Sequence, residues 1–257
     1  MTLEYWIYIL AYASVFSFLI IERYKLDRSF SVSRRDVLFL VTEISAKLVS
    51  LGLSVFLMLW FVNLVGPFEI FSISNLAIPI FLNVVIAFLL VDFFHYLSHY
   101  LHHKVPLLWR FHRLHHADKE VDALTTFLHH PFEVVSTFAT SFVCYVLFDI
   151  PVIIILVYAL AVGVHSPFTH TKMMLSEKID RILSNYIITP NFHRLHHSID
   201  MKEGNSNFGI IFPFWDRLFG TYHHKSSAQL RKIKLGINAN QSPRALTVKE
   251  FVINPFR

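Results

Sequence analysis

Residues 78–103 read IPIFLNVVIAFLLVDFFHYLSHYLHH, an apolar stretch that passes straight into a histidine-bearing one. Its apolar part, Ile78 to Val91 extended by Phe93 and Phe94, is near the length that crosses a bilayer as a helix. The helix is expected to run on through the histidines and to stop near Pro106, since proline cannot continue it without losing a backbone bond. On one helix His95, His99 and His103 stand at i, i+4 and i+8 and share a face. The stretch therefore predicts a membrane helix whose end presents imidazoles.

The rest of the chain agrees with a membrane setting. Of 257 residues, 54% are hydrophobic and only 16% charged, against roughly 45–50% and 25% in soluble domains. Two further apolar runs, Tyr5 to Ile21 and Leu48 to Gly66, precede the third, and the first reads as a retained anchor. A longer apolar segment, residues 134–164, is interrupted by Asp149-Ile150-Pro151 and forms either one tilted span or a helical hairpin. Charge favours the hairpin. The loop from Glu22 to Val37 carries Arg23, Lys25, Arg28, Arg34 and Arg35, which places it in the cytoplasm. Threading onward brings Lys104, Arg110, Arg113 and Lys119 to that side, and only a hairpin returns the basic tail there. The net charge of +5 thus flanks apolar runs and calls for no nucleic acid. The single cysteine, Cys144, lies in an apolar stretch and excludes a disulfide framework or thiolate site. The whole of residues 1–257 reads as a single domain.

Histidine is the anomaly. There are 16, and 14 of them fall between His95 and His197. The hexapeptide FHRLHH at Phe111 to His116 recurs, identical, 81 residues later at Phe192 to His197. In each copy the histidines sit at i, i+3 and i+4, so their rings converge on one small volume. Neutral imidazole is a common ligand for zinc, copper, nickel and iron. Eight or more imidazoles exceed what one ion accepts, so two neighbouring ions are the natural stoichiometry. A piece H-S-P-F-T-H adds His165 and His170. His102, His129, His223 and His224 are expected to be ordinary hydrogen-bonded residues. His95 and His165 stay open between ligand, partner of a ligand and structural residue.

These motifs resemble the fatty acid hydroxylase superfamily, the sterol desaturase-like membrane di-iron enzymes. The family pattern HxxxH, HxxHH, HxxHH stands here as His99 and His103, then His112, His115 and His116, then His193, His196 and His197. Framing the first motif on His95 and His99 fits the distance to the second less well. Neighbouring words match too: Asp92 a turn before the first motif, L-W-R-F-H, H-P-F-E from His130 to Glu133, T-P-N-F-H, and N-F-G…W-D-R-L-F-G-T from Asn207 to Thr221. The resemblance covers roughly residues 85–224. It implies an all-α integral membrane protein of about four membrane-embedded helices, with a cytoplasmic helical cap bearing the metals.

The resemblance also implies that those eight histidines are catalytic metal ligands, with His170 a ninth ligand and His130 a weaker candidate. The cofactor would be two iron ions, with zinc an alternative occupant of purified protein. The reaction would be O2-dependent hydroxylation or desaturation of a lipid of sterol, fatty acyl or alkylglycerol type. Rival readings are an alkane-type monooxygenase of the same metal class and a metal transporter or sensor. Asp92, Glu133 and Asp216 are candidate acceptors for imidazole N–H groups, with Arg113 and Arg194 placed to clamp such acids. Phe111, Phe192, Phe208 and Trp215 are expected to pack the cap against the membrane. The sequence carries no Gly-rich dinucleotide fingerprint and no CxxCH, so electrons would come from a separate reductase or small carrier. Lys225, Arg231, Lys232 and Lys234 offer that carrier, or lipid headgroups, a basic surface. The tail after Thr221 is expected to lie mostly on the surface.

Overall fold

The computed structural model describes residues 71–237 and 246–256, together with Ala13, Ser17, Phe18, Ile20, Ile21, Glu22, Phe56 and Trp60. The expected spans Tyr5 to Ile21 and Leu48 to Gly66 lie largely outside the described residues. Described positions within them are helical. Among the described residues the fold is helical throughout, with one isolated antiparallel bridge between Ser198 and Leu235.

Helix α1, Ile80–Lys104, is the apolar stretch and its histidines in one unbroken element of 25 residues. At 1.5 Å per residue it is about 37 Å long, enough to cross a hydrocarbon core of about 30 Å. Its outer face shows Ile80, Phe81, Val84, Val85 and Ile86 to the surroundings, the pattern of a lipid-facing helix. It stops at Val105, held extended (φ −92°, ψ 116°) by the proline that follows. Pro106 then occupies the first turn of α2, Pro106–His116, where its missing N–H costs nothing.

Two more helices are long and apolar enough to cross a membrane: α3, Pro131–Phe148, and α4, Val152–Thr169. They form the hairpin that the charge pattern favours, not a single tilted span. Asp149 breaks the chain between them, in the left-handed region at φ 50°. Its carboxylate accepts a hydrogen bond from Ser72 Oγ (2.8 Å), and Phe71 N donates to Leu147 O (3.1 Å). The hairpin tip therefore sits with the turn ahead of α1, while its open end returns to the histidines. Ala87 and Val91 of α1 are buried with Cys144, Ile154 and Tyr158, the small Ala87 and Cys144 being fully enclosed between helices. At this level Asp92 binds the layers together. It accepts hydrogen bonds from Tyr158 O–H (3.0 Å), Trp215 Nε1 (2.9 Å) and Ile211 N (3.2 Å).

The remaining helices are short and gather at the histidine end: α5 Glu177–Leu183, α6 Pro190–His196, α7 Met201–Gly204, α8 Phe214–Leu218, α9 Ser227–Leu230 and α10 Val248–Ile253. Glu22 reaches this end too, its buried carboxylate accepting from Ala123 N and Lys172 N. The described tail lies mostly on the surface, as expected, but is anchored at a few buried positions. Phe251 is buried against Leu114 and Leu128, Arg113 donates to Asn254 O (3.0 Å), and Leu230 is buried as well.

Candidate metal centre

Four pieces of backbone deliver nine histidines to one place. The end of α1 contributes His99 and His103, α2 contributes His112, His115 and His116, the end of α4 contributes His170, and α6 with its cap contributes His193, His196 and His197. Both FHRLHH repeats end helices that open on a proline, Pro106 in α2 and Pro190 in α6, and the helical turn stacks their i and i+4 rings. Thr189 caps the second of them, its hydroxyl accepting from Phe192 N.

The nine rings fall into two sets. In one, donor nitrogens of His99, His103, His112, His116 and His196 all lie within 4.8 Å of one another; in the other, so do those of His115, His170, His193 and His197. The sets adjoin, because the His116 ring stacks on His197 with centroids 4.5 Å apart and His115 meets His197 at 4.7 Å. These are the nine residues that the sequence motifs single out, and the first motif is framed by His99 and His103.

Backbone carbonyls decide which nitrogen is bare in three of the rings. The Nδ1–H of His99 donates to Phe208 O (2.8 Å), that of His196 to Ser206 O (2.8 Å) and that of His170 to Ser166 O (2.7 Å). Each leaves an Nε2 lone pair pointing inward. His170 Nε2 then faces His115 Nε2 at 3.1 Å and His193 Nε2 at 2.9 Å. The Nε2 atoms of His103 and His196 are buried without a hydrogen-bond partner. Lone pairs that converge in a dry volume repel one another unless a cation stands between them. A divalent metal fits this donor set, with bonds of about 2.0–2.1 Å to each imidazole nitrogen.

Electrostatics suit the same role. Burial, reinforced by neighbouring histidines, holds His115, His116, His193 and His197 well below the usual histidine range, and burial brings His196 down to about 3. The rings are neutral at physiological pH, the form that ligates metal.

The carboxylates sort differently from expectation. Glu133 does accept an imidazole N–H, from His112 Nδ1 at 2.6 Å, and a second from His129 Nδ1 at 2.9 Å. His129 also stacks on His115 with centroids 4.3 Å apart, so this pair touches both sets. Sequence reasoning placed His129 among the ordinary histidines; its i, i+4 relation to Glu133 was the available signal. Glu133→Gln keeps an acceptor and removes the charge. It is expected to lower metal affinity about ten-fold, the mild end of the range for partners that orient metal ligands, as read by competition with a chelator.

Asp216 and Asp92 contact no imidazole in the sets. Asp216 accepts from Phe208 N (2.7 Å), Gly209 N (2.8 Å) and Thr221 Oγ1 (2.7 Å), and burial pushes its carboxyl up to about 6. It thereby fixes the loop whose Phe208 carbonyl orients His99. A Cβ on Gly209 would meet Asp216 Oδ2 at 2.9 Å and Phe212 O at 2.8 Å, so only glycine fits there. Among the described residues neither arginine clamps an acid: Arg113 binds Asn254, and Arg194 is half-buried with its Nε enclosed and unpaired, its charge disfavoured by burial and by Arg231.

Other candidates also resolve. His130 caps α3 by accepting from Phe132 N, while its Nε2–H donates to Val252 O, so neither nitrogen is left for a metal. His95 binds Val91 O and Ser141 Oγ and stands outside both sets, as does His165. His102 is satisfied by Ser98 O and Ser136 Oγ. Phe208 does not pack toward the membrane; its ring walls the first set beside His99, His103 and His196. Phe111 packs on Phe132 and Phe256, and Phe192 on Tyr222. Trp215 does reach a spanning helix, at Phe93. Lys225 is paired with Glu203, which removes it from the free basic surface.

Three apolar helices joined to a buried nest of nine imidazoles define a helical membrane protein with a histidine-rich centre able to hold metal. The chain belongs to the fatty acid hydroxylase family, whose model matches residues 84–221. It is similar to the ornithine lipid hydroxylase OlsE of Rhizobium tropici, 31% identical over 147 residues, covering 57% of this chain and 43% of that protein. It is also similar to an alkylglycerol monooxygenase of Xenopus tropicalis (30% over 138 residues, 53% of this chain and 30% of that protein). A cholesterol 25-hydroxylase-like protein of Danio rerio is 33% identical over 153 residues, covering 52% of this chain and 53% of that protein. The chain thus spans between about a third and a half of these relatives' own length. No solved structure matches.

Proposed function

We propose that this protein is a membrane-bound lipid oxygenase whose nine histidines hold two iron ions, five imidazoles on one and four on the other. The observation that carries the reading is the division of those rings into two adjoining sets with converging bare nitrogens. His99, His103, His112, His116 and His196 would form one site and His115, His170, His193 and His197 the other. The names of the relatives, all lipid hydroxylases or monooxygenases, support a lipid substrate and O2. Hydroxylation consumes the C–H bond, O2, two electrons and two protons, and yields the alcohol and water. A reductase or small electron carrier would provide the electrons, docking from the cytoplasmic side of a multi-pass protein.

Iron, when bound, supplies the activation of O2 that no side chain performs. The chain's own groups set the conditions for it. The carbonyls of Ser166, Ser206 and Phe208 lock imidazole tautomers, Glu133 places negative charge beside His112, and Phe208 and Trp109 keep an apolar wall against the rings. The position of Glu22 at the same end as the histidines supports a cytoplasmic centre, because it opens the basic loop Glu22 to Val37. Metal transport fits less well, since these ligands sit at helix ends and in short helices, away from the midplane where transport sites lie. Lipid mass spectrometry of cells with and without the protein tests the proposal. A lipid gaining one oxygen, or losing two hydrogens, is the expected result, and an unchanged lipidome contradicts it.

A further inference from the structure

Beside the histidine end of α4 lies a cavity of about 400 Å³, lined by Phe18, Ala161, Val164, His165, Phe168 and Ile211. That volume falls in the range of roughly 300–1,000 Å³ usual for small-molecule sites. Five of its six lining side chains are apolar. Phe18 and Phe168 close one wall with ring centroids 5.8 Å apart. Val164, 40% exposed, marks the open side on a helix apolar enough to cross a membrane. The cavity thus opens where lipid would lie.

His165 is the exception in this lining. Its Nε2 is buried and makes no hydrogen bond. An imidazole nitrogen without its proton can only accept, and a lone polar atom held among apolar groups is costly unless a partner meets it. Near it, Ile188 N donates to the carbonyl of the wall residue Ile211 (2.9 Å). His165 precedes His170 by five residues, about 7.5 Å along α4. A ligand here would therefore lie within two helical turns of the second histidine set.

We propose that this cavity binds an amphipathic lipid, its chain against Phe18, Phe168 and Ile211 and a hydroxyl or N–H of the lipid donating to His165 Nε2. Its use as a substrate position rests on the oxygenase reading above; its occupancy by lipid does not.

The test uses the full chain in lipid nanodiscs, without reductant, so that binding is read apart from turnover. The probe is a monoacylglycerol with a diazirine in its acyl chain, set against the same probe with both hydroxyls methylated. Labelling is mapped by peptide mass spectrometry. The hydroxyl probe should label peptides containing Val164–Phe168 and Ile211 about five-fold more than the methylated one, the worth of one hydrogen bond. His165→Leu should erase that difference and His165→Gln, which restores an acceptor, should recover it. Val164→Trp should lower labelling by both probes, and this holds the test open if His165→Leu fails to fold. Equal labelling of the parent protein by both probes, or labelling spread evenly over α1, α3 and α4, would overturn the proposal. Reductant added afterwards separates a substrate, which is oxidised in place, from a resident lipid that is not; either upholds the site.

Discussion

Replacing His196 by alanine is expected to abolish lipid oxidation while the protein still inserts into the membrane. His196 is fully buried, its Nδ1–H fixed by Ser206 O, and its bare Nε2 lies with rings 4.6 Å from each of His99, His103 and His116. Alanine removes one of the five rings proposed to hold one metal and leaves the Ser206 carbonyl without its donor. A metal contributes several kcal/mol to such chemistry, so the loss should be on the order of a thousand-fold in rate or more. The spanning helices do not depend on this residue, and membrane-fraction yield should stay near that of the parent. His224→Ala, on an exposed residue outside both sets, is the control and should keep full activity. Oxidised lipid per unit of membrane-inserted protein is the measurement; substantial activity in His196→Ala would remove that residue from the centre.

The second large effect concerns folding. Asp92→Ala should lower stability by about 3–5 kcal/mol, enough to collapse the yield of folded protein. The carboxylate is fully buried in the middle of α1 and satisfies Tyr158 from α4, Trp215 from α8 and the Ile211 backbone. Alanine leaves three donors without their acceptor at once, two of them on the buried residues Tyr158 and Ile211. Thermal unfolding in detergent measures it. A melting temperature within a degree or two of the parent would mean that the three donors are satisfied elsewhere.

The two aspartates show where sequence reading stopped. Asp92 and Asp216 are legible as acids close to the motifs, but the expected imidazole N–H partners are not the ones they serve. Which donors they serve depends on Trp215 and Phe208, over 100 and 8 residues away respectively, and on loop geometry that local spacing does not encode. Eight of the nine histidines stand at helical i, i+3 or i+4 spacing, and the resemblance to the family motifs singled them out together with His170. Their division into sets was not legible, since it interleaves: His115 parts from its neighbours His112 and His116 to join α4 and α6. His129 is hydrogen-bonded, as expected, to Glu133 four residues on, but its stacking on His115 depends on a residue that local spacing does not bring to it. The burial of Phe251 likewise depends on Leu114 and Leu128, far back in the chain. Asp149 was read correctly as punctuation because a break before proline has a local cause.

The central claim is a two-metal centre built from this chain's own imidazoles. Elemental analysis of the purified full chain, loaded with ferrous iron under anaerobic conditions and freed of loosely bound metal, tests it most directly, with iron–iron distance and nitrogen coordination read from X-ray absorption on the same sample. Two irons per chain in an imidazole-dominated shell, falling on His196→Ala, is the predicted result. One ion or none per chain, or a shell dominated by oxygen, would contradict it.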